Sequence, residues 1–334
     1  MSRVLVLFAA VTAGLLVGAA PAGAYYPPAP VQGSVSADGA TVNYQVFDPQ
    51  AGVTKYGSDT YSLPVSGFQQ NNGILGWISQ EGASFYVNFL TYDPFRQQWM
   101  KNDPSSAGPY TQVSDFTLNN GVAAWRCHLD SGSDSVRFGT YSPRYGLWYW
   151  SGWDRAAASL LNKDGVVAWL DAEYGVIANI YDAYYEIDRP GDLWPGPWRY
   201  TNAWYPNPPT SLAIQDATVH YLEGATAYTL GYDPGKGYWV STPTKLRAYF
   251  LAQPDRGQPP LWVWLTDMSF GGTAWTWQFG DGYGANSRST YHNFTKVRRF
   301  PVTQSITGNP PGSDNFTQAV QVGGSLPLLP LLLQ

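Results

Sequence analysis

Residues 86–99 read YVNFLTYDPFRQQW, from Tyr86 to Trp99: an alternating strand, a turn at Asp93-Pro94, and a returning segment that ends on tryptophan. The same element recurs as SVRFGTYSPRYGLW (Ser135 to Trp148) and AYTLGYDPGKGYW (Ala227 to Trp239). A diverged copy runs IANIYDAYYEIDRPGDLWPGPW (Ile177 to Trp198), and TVNYQVFDPQAGVTKY (Thr41 to Tyr56) gives a fifth. Period-2 alternation running into an Asp-Pro or Ser-Pro turn is the signature of a β-hairpin. The anchors Phe47, Tyr92, Tyr141, Tyr181 and Tyr232 lie 45, 49, 40 and 51 residues apart, so five repeats fill the region.

A second element precedes four of the hairpins: NNGILGWIS (Asn71 to Ser79), NNGVAAWRC (Asn119 to Cys127), KDGVVAWLD (Lys163 to Asp171) and QDATVHYLE (Gln215 to Glu223). Asn-Gly and Asp-Gly are the strongest short hairpin signals, because both central residues of the tight turn need positive φ. Each period has room for about four strands, the size of one propeller blade, so the repeats predict a five-bladed β-propeller. The first copy lacks the Gly-launched strand. A closed ring would borrow one, from Lys245–Phe250 or from the extended stretch after Tyr26; an open array of five repeats is the competing arrangement.

Composition agrees. The 334 residues are 44% hydrophobic and only 13% charged, with 35 Gly, 26 Pro and 16% aromatic residues. Gly and Pro interrupt helices while aromatics suit pleated surfaces, so the fold class is all-β. The length predicts two globular units. Residues 1–24, MSRVLVLFAAVTAGLLVGAAPAGA, have the form of a secretory leader: Arg3, an apolar run, and the small-residue ending Ala22-Gly23-Ala24. The run is shorter than the about 20 residues that span a bilayer. The expected location is therefore secreted or cell surface, with no stable membrane span in the mature chain. Cys127 is the lone cysteine, which excludes an internal disulfide. A formal net charge of -5 without a basic stripe argues against nucleic acid as a partner.

From Phe250 onward the pattern changes. Pro260-Leu261 precedes an alternating strand through Thr266-Asp267; Trp275, Trp277 and Phe279-Gly280-Asp281-Gly282 follow, then His292 with Phe294, and Phe300 opening the strand of Val302. These residues resemble the polycystic kidney disease (PKD) domain family. The resemblance implies an immunoglobulin-like β-sandwich and contacts with protein or carbohydrate outside the cell. It assigns Trp277, Phe279, Gly280, Asp281, Gly282 and His292 structural roles. Gln278 stands where the family usually carries an acid, and Arg298-Arg299 where it usually has Gly. The WQFGDG loop is not a phosphate loop, since no helix follows Gly282. A calcium loop needs several oxygen ligands in sequence, and Asp281 is alone, so no cofactor and no metal are expected, calcium being the one ion left open. The divisions are a leader at 1–24, the repeats at 25–249, the PKD-like unit at 250–323 and an apolar tail at 324–334.

Candidate chemistry is sparse. His128, His220 and His292 are the three histidines, and a metal would want two or three ligands converging. There is no G-x-S-x-G nucleophile turn. Paired carboxylates of a glycoside hydrolase would come from Asp130, Asp171, Glu173, Asp216 and Glu223, of which Asp171 and Glu223 recur with the repeat and suit turn hydrogen bonds. Recurrent tryptophans such as Trp77, Trp125 and Trp169 suit blade cores. Non-recurrent aromatics cluster in the loops YWSGWDR and RPGDLWPGPWRYTNAWYPNPP, which makes Trp150, Trp153, Trp194, Trp204 and Tyr205 candidate stacking platforms, with Arg155 and Arg199 as polar contacts. Filler between blades is the competing role for these aromatics. The leading function is an exported binding or adhesion protein taking polysaccharide or an extracellular protein. A secreted carbohydrate-active enzyme and a self-assembling envelope subunit are the alternatives.

Overall fold

A computed structural model describes residues 31–48, 50–102, 108–171, 173–182, 198–201, 209, 211–215, 217–223, 226–234, 236–240, 246–269, 271–308 and 311–323. The described residues are all-β, in antiparallel hairpins that follow the sequence repeats. The first repeat forms β1 (Gln32–Val35), β2 (Thr41–Asp48) and β3 (Val53–Thr60). The second forms β4 (Ser66–Asn71), β5 (Ile74–Glu81), β6 (Ser84–Asp93) and β7 (Gln98–Lys101); the third, β8 (Tyr110–Asn119), β9 (Val122–Leu129), β10 (Asp134–Ser142) and β11 (Leu147–Trp153). The fourth comprises β12 (Ala157–Lys163), β13 (Val166–Asp171), β14 (Gly175–Tyr181) and β15 (Trp198–Tyr200). The fifth comprises β16 (Ser211–Gln215), β17 (Thr218–Glu223), β18 (Thr226–Asp233) and β19 (Tyr238–Val240). One pairing, Phe85 with Tyr110, joins the second and third sheets into a single eight-stranded sheet.

The predicted turns are present. Asn72-Gly73, Asn120-Gly121 and Asp164-Gly165 all have both residues at positive φ, the conformation that lets a two-residue hairpin match the strand twist. The strand missing from the first repeat comes from the stretch after Tyr26: β1 pairs with β2, Gln32 opposite Gln45. The other candidate is excluded, because Phe250 opens a strand of the C-terminal unit.

Successive sheets pack face to face in chain order. Val42, Tyr44 and Val46 meet Leu75, Trp77, Leu90 and Tyr92; Phe89 meets Trp125 and Tyr141; Val122 and Phe138 meet Trp169 and Tyr181; Val166, Ala168 and Ile180 meet Val219 and Tyr232. The middle sheets are thus buried on both sides and the end sheets on one. In β2 the alternation is strict, with Val42, Tyr44 and Val46 buried and Asn43, Gln45 and Phe47 exposed. On the fifth sheet the positions matching Val166, Ala168, Ile180 and Ala178 of the fourth hold Thr218, His220, Gly231 and Thr229. Both outward end faces are more polar than any inner one, as terminal repeats of a stacked array require in water. Among the described residues no strand of the first sheet packs against the fifth sheet.

The C-terminal unit is a two-sheet sandwich. One sheet orders β20 (Phe250–Gln253), β22 (Leu261–Asp267) and β25 (Thr290–Phe294); the other orders β21 (Arg256–Gly257), β27 (Gly312–Val322), β26 (Arg298–Gly308), β23 (Gly272–Gln278) and β24 (Gly284–Ala285). Phe250, Val263, Leu265, Trp277, Phe279, Phe294, Phe300 and Val302 fill the space between them. The sandwich is docked on the repeats: Tyr249, Leu251 and Met268 share one apolar cluster with Phe138, Tyr181 and Trp198. Gln253 Nε2 donates to the Pro143 carbonyl at 3.1 Å.

Candidate functional site

The Tyr-Asp anchors carry the joints between repeats. Tyr92 Oη donates to Asp48 Oδ2 at 3.0 Å, Tyr141 Oη to Asp93 Oδ2 at 2.6 Å, and Tyr232 Oη to Asp182 Oδ2 at 2.5 Å. In each case the tyrosine of one repeat reaches the aspartate of the repeat before it. The same aspartates hold their own turns: Asp48 Oδ1 accepts from the Gln50 and Ala51 amides, and Asp93 Oδ1 from Arg96. Burial, then the hydrogen bond to a carboxylate, raises the Tyr92 phenol above its ordinary range. Ser142 replaces the aspartate between the third and fourth repeats, and Tyr181 Oη is buried there without a hydrogen-bond partner. Phe47 heads the series with no hydroxyl and, among the described residues, no preceding sheet; it is 56% exposed, whereas all four tyrosines are buried.

Of the residues singled out as stacking platforms, Trp150 and Trp153 are joint filler. Trp150 stacks on Trp148 (5.8 Å between centroids, 14° between planes) and leans on Phe89 and Trp125. It lies over Gly139, where any Cβ would overlap the indole. Trp153 Nε1 donates to Asp171 Oδ2 at 3.1 Å, and its ring meets Tyr174 edge-on. Arg155 is exposed, paired with Glu173 and set 4.9 Å above the Tyr174 ring. Arg199 is half-buried in β15, and its carbonyl accepts from Trp239 Nε1 at 3.0 Å. Trp194, Trp204 and Tyr205 lie outside the described residues, as does Asp216.

A cleft of about 270 Å³ opens where the third repeat meets the fourth, lined by Gln112, Ser114, Arg126, His128, Asp134 and Ala157, among others. Its charges are already matched: His128 Nδ1 lies 2.9 Å from Asp134 Oδ1, and Arg126 pairs with Asp115 while donating to the Ala157 carbonyl at 2.8 Å. Ser135 Oγ donates to the Trp153 carbonyl and to Asp154 Oδ1, both at 3.1 Å. The Cys127 thiol at the cleft wall is pushed up to about 12 by burial, so it is not a thiolate at neutral pH. The cleft can hold a small polar group; neither hydroxyl nor thiol is set up to attack one.

Two of the candidate hydrolase carboxylates are engaged elsewhere, Glu173 by Arg155 and Asp171 by its turn. Asp171 Oδ1 accepts from the Glu173 and Tyr174 amides, the turn role that its recurrence suggested, and Asp130 is exposed. Among the described residues no group of three or more His, Cys, Asp or Glu side chains could hold a metal ion.

In the sandwich, Asp281 Oδ1 accepts from the Tyr283 amide at 3.1 Å, and its Oδ2 lies 2.7 Å from His292 Nε2. His292 in turn stacks on Phe279 at 4.2 Å. The loop and the distant histidine of the motif therefore touch, a link the sequence reading had not paired. Gly280, at φ 78°, lies against Pro301, and Trp277 Nε1 donates to the Ser287 carbonyl at 2.7 Å. Asp267 is buried and receives Arg288 Nε at 2.9 Å and Gln304 Nε2 at 2.6 Å. Both departures, Gln278 and Arg298-Arg299, fall at exposed positions.

No known protein family matches the chain, and no curated protein does. Solved structures with partial likeness include the extracellular domain of a one-component system from B. thetaiotaomicron, at 9% identity and TM-score 0.26, covering 86% of this chain; this chain spans 43% of that one. Hsv2 of Kluyveromyces lactis is similar at 9% identity and TM-score 0.31, over 72% of this chain and 70% of that one. The N-terminal domain of Nup159 is similar at 8% identity and TM-score 0.28, over 91% and 92%. Proteins this distant transfer neither arrangement nor function.

Proposed function

We propose that the protein is an exported binding or adhesion protein of the cell surface or extracellular space, its five repeats forming an open array of propeller-type blades and its PKD-like sandwich an interaction module. The observation that carries this reading is the open cleft beside His128, where His128 faces Asp134, Arg126 pairs with Asp115 and Ser135 bonds to Asp154: such a surface suits recognition better than conversion of what it meets. The leader-like residues 1–24 support export. The sandwich is more than a spacer in this reading, because its own apolar residues complete the core of the third and fourth repeats. Trp194, Trp204 and Tyr205 remain proposed contacts for polysaccharide or an extracellular protein.

The test is a screen of residues 25–334 against soluble and insoluble polysaccharides and extracellular proteins, with product analysis of the same mixtures. Retention without new reducing ends supports binding. New reducing ends would overturn it in favour of a carbohydrate-active enzyme.

A further inference from the structure

The outward face of the first sheet is uncharged and carries two exposed aromatic rings. Gln32 and Ser34 of β1, Thr41, Asn43, Gln45 and Phe47 of β2, and Thr54, Tyr56, Ser58 and Thr60 of β3 occupy it by strand alternation. Cross-strand register sets Gln32, Gln45 and Tyr56 in one row and Phe47 with Thr54 in the next. Gln45 Nε2 donates to Gln32 Oε1 at 3.1 Å, so the amides are held in place. Tyr56 is 72% exposed and Phe47 56% exposed, diagonal neighbours on the same surface.

Aligning repeats on Phe47 and Tyr92 shows what is unusual. Where the second sheet buries Leu75, Trp77, Leu90 and Trp99 against its neighbour, the first sheet has Gln32, Ser34, Gln45 and Thr54. Those four replacements are what capping an array in water demands. Capping does not account for two large rings left in solvent, and Tyr56 stands where the second repeat has Lys101, a residue that would cap better. Nor does stacking of a second copy account for them. The fifth sheet would bring Thr218, His220 and Thr229 against Gln32, Asn43 and Gln45, without the leucine and tryptophan that make the inner joints.

We infer that this face binds a neutral polysaccharide chain, with Phe47 and Tyr56 stacking on sugar rings and the Gln32, Asn43 and Gln45 amides meeting their hydroxyls. The inference rests on the proposed binding function and gives it a second location, apart from the His128 cleft. Aromatic rings supply broad apolar contact with one wet edge, and amides both donate and accept as a polyol does. The absence of charge on all ten residues disfavours phosphate or uronate ligands, which require cationic partners.

The test uses residues 25–334 on microcrystalline cellulose, chitin and a soluble β-glucan, beside the Phe47→Ala/Tyr56→Ala double variant and the Gln45→Ala variant. Both rings are exposed, so the double variant should keep the parent melting temperature. Retention of the parent, reduced at least tenfold in the double variant and less in Gln45→Ala, is the expected result. Equal retention of parent and double variant would overturn this location while leaving the binding function standing. No retention of the parent on any of the three would overturn the polysaccharide assignment, and an extracellular protein captured in the wider screen would then show that the general binding function survives. Sedimentation giving a dimer that the double variant abolishes would also overturn it, in favour of self-association.

Discussion

Tyr141 Oη donates to Asp93 Oδ2 across the joint between the second and third repeats, 48 residues apart in sequence and 2.6 Å apart in space. The recurring Tyr-Asp-Pro motif is therefore a bond between repeats as much as a turn within one.

Removing that hydroxyl should be costly only where an aspartate receives it. Tyr141→Phe should destabilise by about 1.5–3 kcal/mol, the range for hydrogen bonds to charged groups. Tyr181→Phe should be neutral or slightly stabilising, since its hydroxyl is buried without a partner. Urea midpoints of the two variants, measured side by side, check the contrast; equal losses would contradict it.

Trp150 was a candidate ligand platform by its place in the YWSGWDR loop, and its packing instead makes it part of the joint. Gly139→Ala should consequently cost about 1–3 kcal/mol by overpacking, because the new methyl meets the indole. Thermal melting measures the loss, and ligand retention of the folded fraction should be unchanged.

Acid should weaken the sandwich. Burial alone would raise the Asp281 carboxyl, but hydrogen bonds from His292 and the Tyr283 amide outweigh it and hold it below the ordinary carboxylate value. A depressed acid contributes stability that is present above its unfolded pKa, about 3.9, and lost as pH falls through the lower folded value. Asp281→Asn should remove that component, so the parent should lose more stability than the variant as pH falls below about 4. Near-ultraviolet circular dichroism during acid titration reads it.

Separating the two units should expose apolar surface. Residues 25–249 expressed alone lose Leu251 and Met268 from the cluster with Phe138, Tyr181 and Trp198. The fragment should bind a hydrophobic dye and melt below the intact chain; identical melting would mean the docking contributes nothing.

Much of this was legible because it is periodic. Alternation and the Asn-Gly turns located the hairpins, since a pleated strand exposes every second residue and a tight turn demands positive φ. The recurrent tryptophans Trp77, Trp125 and Trp169 were rightly placed in the core. Phe47 carries its own signal: it is the one anchor without a hydroxyl, and among the described residues no sheet precedes it. Non-recurrence left two roles open for Trp150 and Trp153, and their packing shows the second, because a ring unique to one loop can still fill a joint between repeats.

The sequence by itself determined the all-β class, the five repeats and the turns between their strands, because those depend on local φ/ψ preference and period-2 burial. Only the tertiary structure decided which sheet each face meets. That Tyr92 reaches Asp48, that Trp150 is half-buried in a joint while Phe47 is bare, and that Leu251 and Met268 of one unit complete the core of the other are facts about neighbours distant in the chain. A residue's spacing states which side of its strand it faces; whether water or another sheet lies there is settled by how the sheets stack.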